Sequence, residues 1–162
     1  MTRLRMNMNP VRLLLNVPVP WVFVLCYFLG AALEIVVPFE CRRQLPASVS
    51  LAGAVVFAIG AIIAAWPLLI FFKAHTTTVP GKTSSTLVTL GPYRFTRNPM
   101  YVGLTIAYLG EAAILRHVWP VILLPLTLAY LNWIVIPLEE SRLRQVFRSE
   151  YEQYQMKVRR WI

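Results

Sequence analysis

Cysteines and charged residues are scarce in this sequence, and both shortages narrow what the chain can be. The 162 residues include only two cysteines, Cys26 and Cys41, and no C-x-x-C pair. We therefore expect neither a disulfide framework nor a zinc or redox site. Charged residues make up 14% of the chain, against about 25% in an ordinary soluble domain. The G-x-G-x-x-G loop of a Rossmann domain is also absent, so dinucleotide binding by that fold is not expected.

Hydrophobic residues are abundant and make up 57% of the sequence. Apolar stretches cover residues 17–37, 47–72, 100–115 and 118–138, and the third is short for a full membrane crossing. The pattern predicts an all-α integral membrane protein with about four transmembrane helices. We expect a single membrane domain over residues 1–162, with a two-helix region at 1–72 and a loop, a helical hairpin and a terminal helix at 73–162.

The second half of the chain has the spacing of a hairpin followed by an amphipathic helix. Arg116-His117 is a short polar break between the third and fourth apolar stretches, so these two helices are predicted to pair antiparallel. From residue 139 to 161, apolar or aromatic residues recur at helical intervals, namely at 143, 146, 147, 151, 154 and 158. We expect this segment to lie on the cytoplasmic membrane face.

Basic residues predict the orientation of the chain. The net charge of +9 would suit nucleic acid, but in a chain with these apolar stretches we expect it to set topology and to meet lipid headgroups instead. With the N-terminus inside, every lysine and arginine except Arg42, Arg43 and Arg116 falls on the cytoplasmic side. We expect both termini in the cytoplasm, the location to be a bacterial inner membrane, and nucleic acid not to be a partner.

Residues 91–103 form the most polar stretch beside an apolar run. The sequence Gly-Pro-Tyr-Arg-Phe-Thr-Arg-Asn-Pro-Met-Tyr-Val-Gly combines two arginines, an asparagine and two tyrosines with two prolines. Proline fixes φ and restricts the residue before it, which predicts a held loop and a helix start near Pro99. Rigid donor groups at the mouth of a helical bundle suit an anionic ligand.

A carboxylate is predicted to lie close to this loop. If the third and fourth helices pair, Arg97 and Glu139 reach the same membrane face. An exposed ion pair with little energetic value is one interpretation. The other is a pocket that offers a cation and a carboxylate together, which suits a zwitterionic ligand.

Four spaced motifs give the chain a family resemblance. They are Leu-Val-Thr-x-Gly-Pro-Tyr at 87–93, Arg-Asn-Pro-x-Tyr-x-Gly at 97–103, Glu139-Glu140, and Phe-x-x-x-Tyr-x-x-Tyr at 147–154. Together they resemble the isoprenylcysteine carboxyl methyltransferase family, a group that includes phospholipid N-methyltransferases. The resemblance covers residues 73–160.

The resemblance implies an integral membrane methyltransferase that uses S-adenosylmethionine and acts on a lipophilic small molecule or lipid. It implies that Arg97, Glu139 and Glu140 are catalytic. The residues implied to contact the cofactor are Thr78, Ser85, Thr86, Leu87, Val88, Tyr93, Asn98, Pro99, Met100, Tyr101 and Glu139. No metal is implied.

Two positions depart from the prenyl-substrate enzymes. Asn98 stands where those enzymes commonly have histidine, and Val135 stands where they hold the substrate carboxylate with arginine. Bacterial relatives often have asparagine at the first position, whereas the valine at the second weighs against a prenylcysteine carboxylate as the acceptor.

Three other interpretations remain open. Glu111, alone in the third helix, would suit a small exporter with an intramembrane carboxylate. Sterol reductases share an Arg-Asn-Pro pattern and use NADPH. A non-catalytic membrane partner would keep the fold and lack the chemistry.

Overall fold

The computed structural model describes residues 18–40, 45–73 and 87–162, and these residues form helices without any strand. The helices are α1 (Val19–Val36), α2 (Ala47–Lys73), α3 (Pro99–Leu115), α4 (Trp119–Tyr130) and α5 (Ile136–Lys157). A π-helical segment, Leu131–Val135, joins α4 to α5. The predicted all-α membrane fold is confirmed.

Within the described residues, three helices are long and apolar enough to cross a membrane: α1, α2, and the 39-residue unit that runs from α4 through α5. Helix α3 has 17 residues and a length of about 25 Å, so it is the short member that the sequence predicts. Large apolar side chains such as Phe28, Leu69, Leu126 and Trp133 are exposed on these helices. In a chain of this composition, such side chains face lipid.

Helices α2 and α3 pack most extensively, and four glycines bring their backbones together. Gly53 lies opposite Gly110, and Gly60 lies opposite Gly103 and Ala107. A Cβ added to Gly53 would lie 2.8 Å from the Gly110 carbonyl oxygen. A Cβ added to Gly60 would lie 2.8 Å from the Gly103 carbonyl oxygen. In lipid, the hydrophobic effect does not drive helices together, so helix association depends on the van der Waals contacts that this close backbone approach provides.

The other large contact joins α1 to α4, and the centre of the molecule lies between this pair and α3. The buried cluster comprises Phe23, Tyr27, Tyr101, Tyr108, Ala112, Leu124, Leu131 and Ile136. The hydroxyl of Tyr108 donates to the Pro120 carbonyl at 2.9 Å across the predicted hairpin. The turn follows at Arg116, where φ is 55°. The backbone amides of Arg116 and His117 donate to carbonyls in the last turn of α3 and so cap its end.

A buried carboxylate secures the start of α4. Glu34 of α1 is 1% exposed, and it accepts hydrogen bonds from the amides of Val118 and Trp119 at 2.9 and 3.1 Å. Helix N-termini carry unpaired amides and a partial positive charge, so a carboxylate stabilises them. Glu34 is therefore a tertiary helix cap.

The terminal helix differs in detail from the sequence prediction. It begins as a direct continuation of the fourth span, and it is broken at Arg148, where φ is 44° and ψ is −120°. The chain turns back there, since Arg144 Nε donates to Gln155 Oε1 at 3.0 Å. In a straight helix these residues would be about 16 Å apart along the axis. The turn brings the C-terminus back to the start of α3.

Candidate functional site at the start of helix α3

The loop before α3 is held between α2 and α5. Gly91 has a φ of 62°, which favours glycine, and a Cβ there would lie 2.8 Å from Ile70 Cδ1 of α2. A short 3₁₀ turn, Gly91–Arg94, follows. On the other side, the Tyr154 hydroxyl donates to the Tyr93 carbonyl at 2.7 Å. These contacts on both sides hold the loop in place, as its prolines predict.

The end of the chain fixes the Arg97-Asn98 segment. The amide of Arg97 donates to the Arg159 carbonyl at 2.9 Å, and Asn98 Nδ2 donates to the Arg160 carbonyl at 2.9 Å. The Thr96 hydroxyl donates to the same Arg160 carbonyl at 3.1 Å. Helix α3 begins at Pro99, as predicted. The Asn98 side chain is thus engaged in holding the C-terminal segment.

The arginine of this segment pairs with Glu140, where the sequence suggested Glu139. Arg97 Nη2 lies 3.0 Å from Glu140 Oε1, and the two side chains are 13% and 6% exposed. Arg160 also binds Glu140 with two nitrogens, at 2.8 and 3.2 Å. Arg144 lies farther away at 3.9 Å and is half exposed. Glu140 is therefore the buried anion on which arginines converge.

Glu139 has a separate environment at the same end of the bundle. Its Oε1 accepts a hydrogen bond of 2.7 Å from the Tyr101 hydroxyl. Among the described residues, Tyr101 is the hydrogen-bond partner of this half-buried carboxylate. Burial raises the pKa of the Tyr93 phenol, and the nearby Tyr154 and Glu139 side chains raise it further.

The site carries excess positive charge and an unpaired donor. Three arginines face the single carboxylate of Glu140. Within the described part of the chain, Arg97 Nε is buried without a hydrogen-bond partner. A buried charged donor without a partner is costly. An anionic ligand group beside Arg97 would accept a hydrogen bond from Nε and would balance the excess positive charge.

The remaining predicted cofactor contacts fall around this centre or outside the described residues. Leu87 and Val88 are half-buried in the segment before Gly91, Pro99 is buried, and Met100 is half-buried beside the core cluster. Thr78, Ser85 and Thr86 lie outside the described residues.

Sequence reasoning did not single out Arg160 or Asn132. Arg160 binds Glu140, and Asn132 Oδ1 accepts a hydrogen bond of 3.1 Å from Trp161 Nε1. Neither position belongs to a recognised motif: Arg160 is near the end of the sequence, and Asn132 is inside an apolar span. The intramembrane asparagine was the available signal, since such residues usually have a partner.

Glu111 lies away from this centre, in the last turns of α3. It is ten residues beyond Tyr101, which is about 15 Å along the helix axis. Among the described residues, no cluster of three or more histidine, cysteine or acidic side chains forms a metal site.

The phospholipid methyltransferase family model matches residues 49–150. The chain belongs to the phospholipid methyltransferase family. It is therefore a membrane methyltransferase, as its motifs predict. The match includes the loop, both glutamates and the packed pair of α2 and α3. No match was found among curated proteins or among solved structures.

Proposed function

We propose that the protein transfers a methyl group from S-adenosylmethionine to a lipophilic or lipid-like acceptor at the cytoplasmic membrane face. One observation carries the proposal. Arg97, with its unpaired buried Nε, and Glu139, held by Tyr101, lie at the same end of α3. They offer a cation and a carboxylate to one ligand.

The residues present fit the chemical groups of this cofactor. Charged arginine donors bind carboxylates strongly, so Arg97 would hold the cofactor carboxylate through its unpaired Nε while its Nη2 remains on Glu140. Glu139 would accept from the ammonium or the ribose hydroxyls. The faces of Tyr93 and Tyr101 suit a sulfonium or an adenine ring. When bound, S-adenosylmethionine supplies an activated methyl group.

The chain itself positions the reactants and excludes water. Methyl transfer is an in-line displacement, so alignment of the two reactants contributes much of the rate. In this interpretation Glu140 takes a supporting role, because its oxygens are occupied by Arg97 and Arg160. A separate general base is needed only when the acceptor arrives protonated.

The acceptor is proposed from the environment of the site. Apolar side chains cover the outside of the spans, and the matched family acts on phospholipids by its description. A lipid that reaches the loop from the cytoplasmic leaflet meets the cofactor end of α3. This arrangement requires both termini in the cytoplasm. In a variant whose Cys26 and Cys41 are replaced by serine, a cysteine placed at position 42 should then react with a membrane-impermeant label from outside, whereas labelling from inside would contradict the orientation.

Three variants test the site. Arg97→Ala and Glu139→Gln should each reduce binding of S-adenosylhomocysteine and methyl transfer to a membrane lipid extract. Loss of a charged partner to a ligand costs ~2–5 kcal/mol, which is tens- to thousands-fold. Glu140 keeps Arg160 as a partner in Arg97→Ala, so membrane insertion should persist.

Glu111→Gln is the matched control, because it removes a carboxylate from the same bundle without touching the site. It should retain most of the activity. If Arg97→Ala and Glu139→Gln bind the cofactor product like the parent, the site assignment is wrong. If Glu111→Gln alone abolishes function and proton-coupled transport is measured, the exporter interpretation holds instead.

A further inference from the structure

The π-helical segment between α4 and α5 leaves one backbone acceptor without a helical donor. The Ile136 amide bonds to the Leu131 carbonyl five residues back. In an α-helix that amide would serve Asn132 instead. The residue five positions after Asn132 is Pro137, which has no N–H. The Asn132 carbonyl therefore lacks both the α-helical and the π-helical donor.

The C-terminal segment supplies donors at this place. Arg160 Nη1 lies 3.4 Å from the Asn132 carbonyl and 3.4 Å from its Oδ1. Trp161 Nε1 donates to Oδ1 at 3.1 Å, and its ring packs against the core cluster. A backbone carbonyl that is shielded from water is costly without a partner, and Asn132 is partly buried in the π-helical segment. The carbonyl and side chain of Asn132 in the π-helical segment, together called the Asn132 bulge below, therefore form a specific binding place for Arg160 and Trp161.

The same arginine connects the bulge to the candidate site. Its other nitrogens bind Glu140 at 2.8 and 3.2 Å, and Glu140 Oε1 holds Arg97 at 3.0 Å. Its backbone carbonyl accepts from Asn98 at 2.9 Å. Thus one residue fixes the side chain of Arg97 through Glu140 and the loop through Asn98.

We propose that Arg160 is a positioning residue, which uses the Asn132 bulge as its anchor to orient Arg97 toward the cofactor carboxylate. The inference rests on the proposed function. Arg160 touches no reacting atom in this account and acts through Glu140. Because an arginine guanidinium is charged at any physiological pH, the contact between Arg160 and Glu140 remains an ion pair.

The test separates positioning of the carboxylate from general support of the fold. Two probes are titrated calorimetrically into detergent-purified full-length protein: S-adenosylhomocysteine, and 5′-methylthioadenosine, which shares the nucleoside and lacks the amino-acid group. Arg160→Ala should weaken S-adenosylhomocysteine binding about tenfold, a typical coupling between contacting residues. Binding of 5′-methylthioadenosine should stay within about twofold of the parent.

Arg160→Lys keeps the charge and loses the fork, so it should show the same selective loss to a smaller degree. It also serves if Arg160→Ala fails to fold. Arg159→Ala is the matched control, because the site uses only the backbone carbonyl of that exposed residue. It should bind both probes like the parent.

Equal losses for the two probes would overturn the inference, because they would make Arg160 merely structural. Unchanged binding of S-adenosylhomocysteine by both Arg160 variants would overturn it as well. If the parent binds 5′-methylthioadenosine and not S-adenosylhomocysteine, the Arg97 subsite and the inference both fail. If the parent binds neither probe, the proposed function fails, and the inference fails with it.

Discussion

Glu139 and Glu140 are adjacent in sequence, and we predict that changing each to glutamine has a different effect on the thermal stability of the protein. Glutamine preserves the size of the side chain and removes its charge. Glu140 is 6% exposed at its side chain, and arginine nitrogens lie 2.8, 3.0 and 3.9 Å from it. Glu139 accepts its hydrogen bond from Tyr101, which a glutamine carbonyl can still receive.

The magnitude for Glu140→Gln follows from the burial of its partners. The half-exposed Arg144 contributes ~0–1 kcal/mol, as surface pairs do. Removing one member of a buried ion pair costs ~3–5 kcal/mol, because the other charge is left uncompensated. Arg160 is partly exposed, at 31%, so we take the low end, about 3 kcal/mol. For a chain of this size that corresponds to a fall in melting temperature of about 6–12 °C.

Thermal unfolding in detergent and calorimetry with S-adenosylhomocysteine together check this prediction. Glu140→Gln should melt well below the parent. Glu139→Gln should melt within about 3 °C of the parent and lose cofactor binding. If Glu140→Gln melts like the parent while Glu139→Gln unfolds early, the assignment of a structural and a ligand-facing glutamate is reversed.

Three further changes test the packing of the fold by thermal unfolding. Gly60→Ala should lower stability by ~1–3 kcal/mol, since the new Cβ would lie 2.7 Å from Ala107 Cα; an unchanged melt would show that the α2–α3 contact is looser than described. Glu34→Ala should lower stability by ~1–3 kcal/mol by removing the acceptor at the start of α4. Its cofactor affinity should stay parental, because that end is about 30 Å from Glu139 along the helix, and a loss of affinity would argue against this layout. Arg148→Gly should raise stability by about 1 kcal/mol, because φ there is 44°; a lower melting temperature would mean that the arginine side chain stabilises the turn.

Several elements were predictable because their causes are local. Apolar length predicts the spans, and Pro99 predicts the start of α3 because proline suits the first helical position. The polar pair Arg116-His117 predicts the turn after α3. The glycines at 53, 60, 103 and 110 also carry a signal, a seven-residue spacing in each helix. Small residues at regular intervals indicate close helix packing.

The partner of Arg97 was not predictable, for a geometric reason. Successive helical residues point about 100° apart. A π segment inserts one residue into a turn and rotates everything beyond it by a similar angle. The segment at Leu131–Val135 therefore decides which of the two glutamates faces Arg97. Nothing in the apolar pattern of that span marks the insertion.

The break at Arg148 was also hidden from sequence reasoning. The apolar positions from 143 to 158 fit an uninterrupted helix, and neither glycine nor proline occurs there. The turn is stabilised by tertiary contacts, such as that between Tyr154 and the Tyr93 carbonyl. Such contacts depend on the whole fold.

Calorimetry on the purified parent protein tests the central claim most directly, with S-adenosylmethionine or S-adenosylhomocysteine compared against NADPH. We predict micromolar binding of the sulfur cofactor or its product and no binding of NADPH, because Arg97 and Glu139 offer one cation and one carboxylate to a zwitterion. Clear binding of NADPH without binding of either sulfur compound would contradict it and favour a membrane reductase.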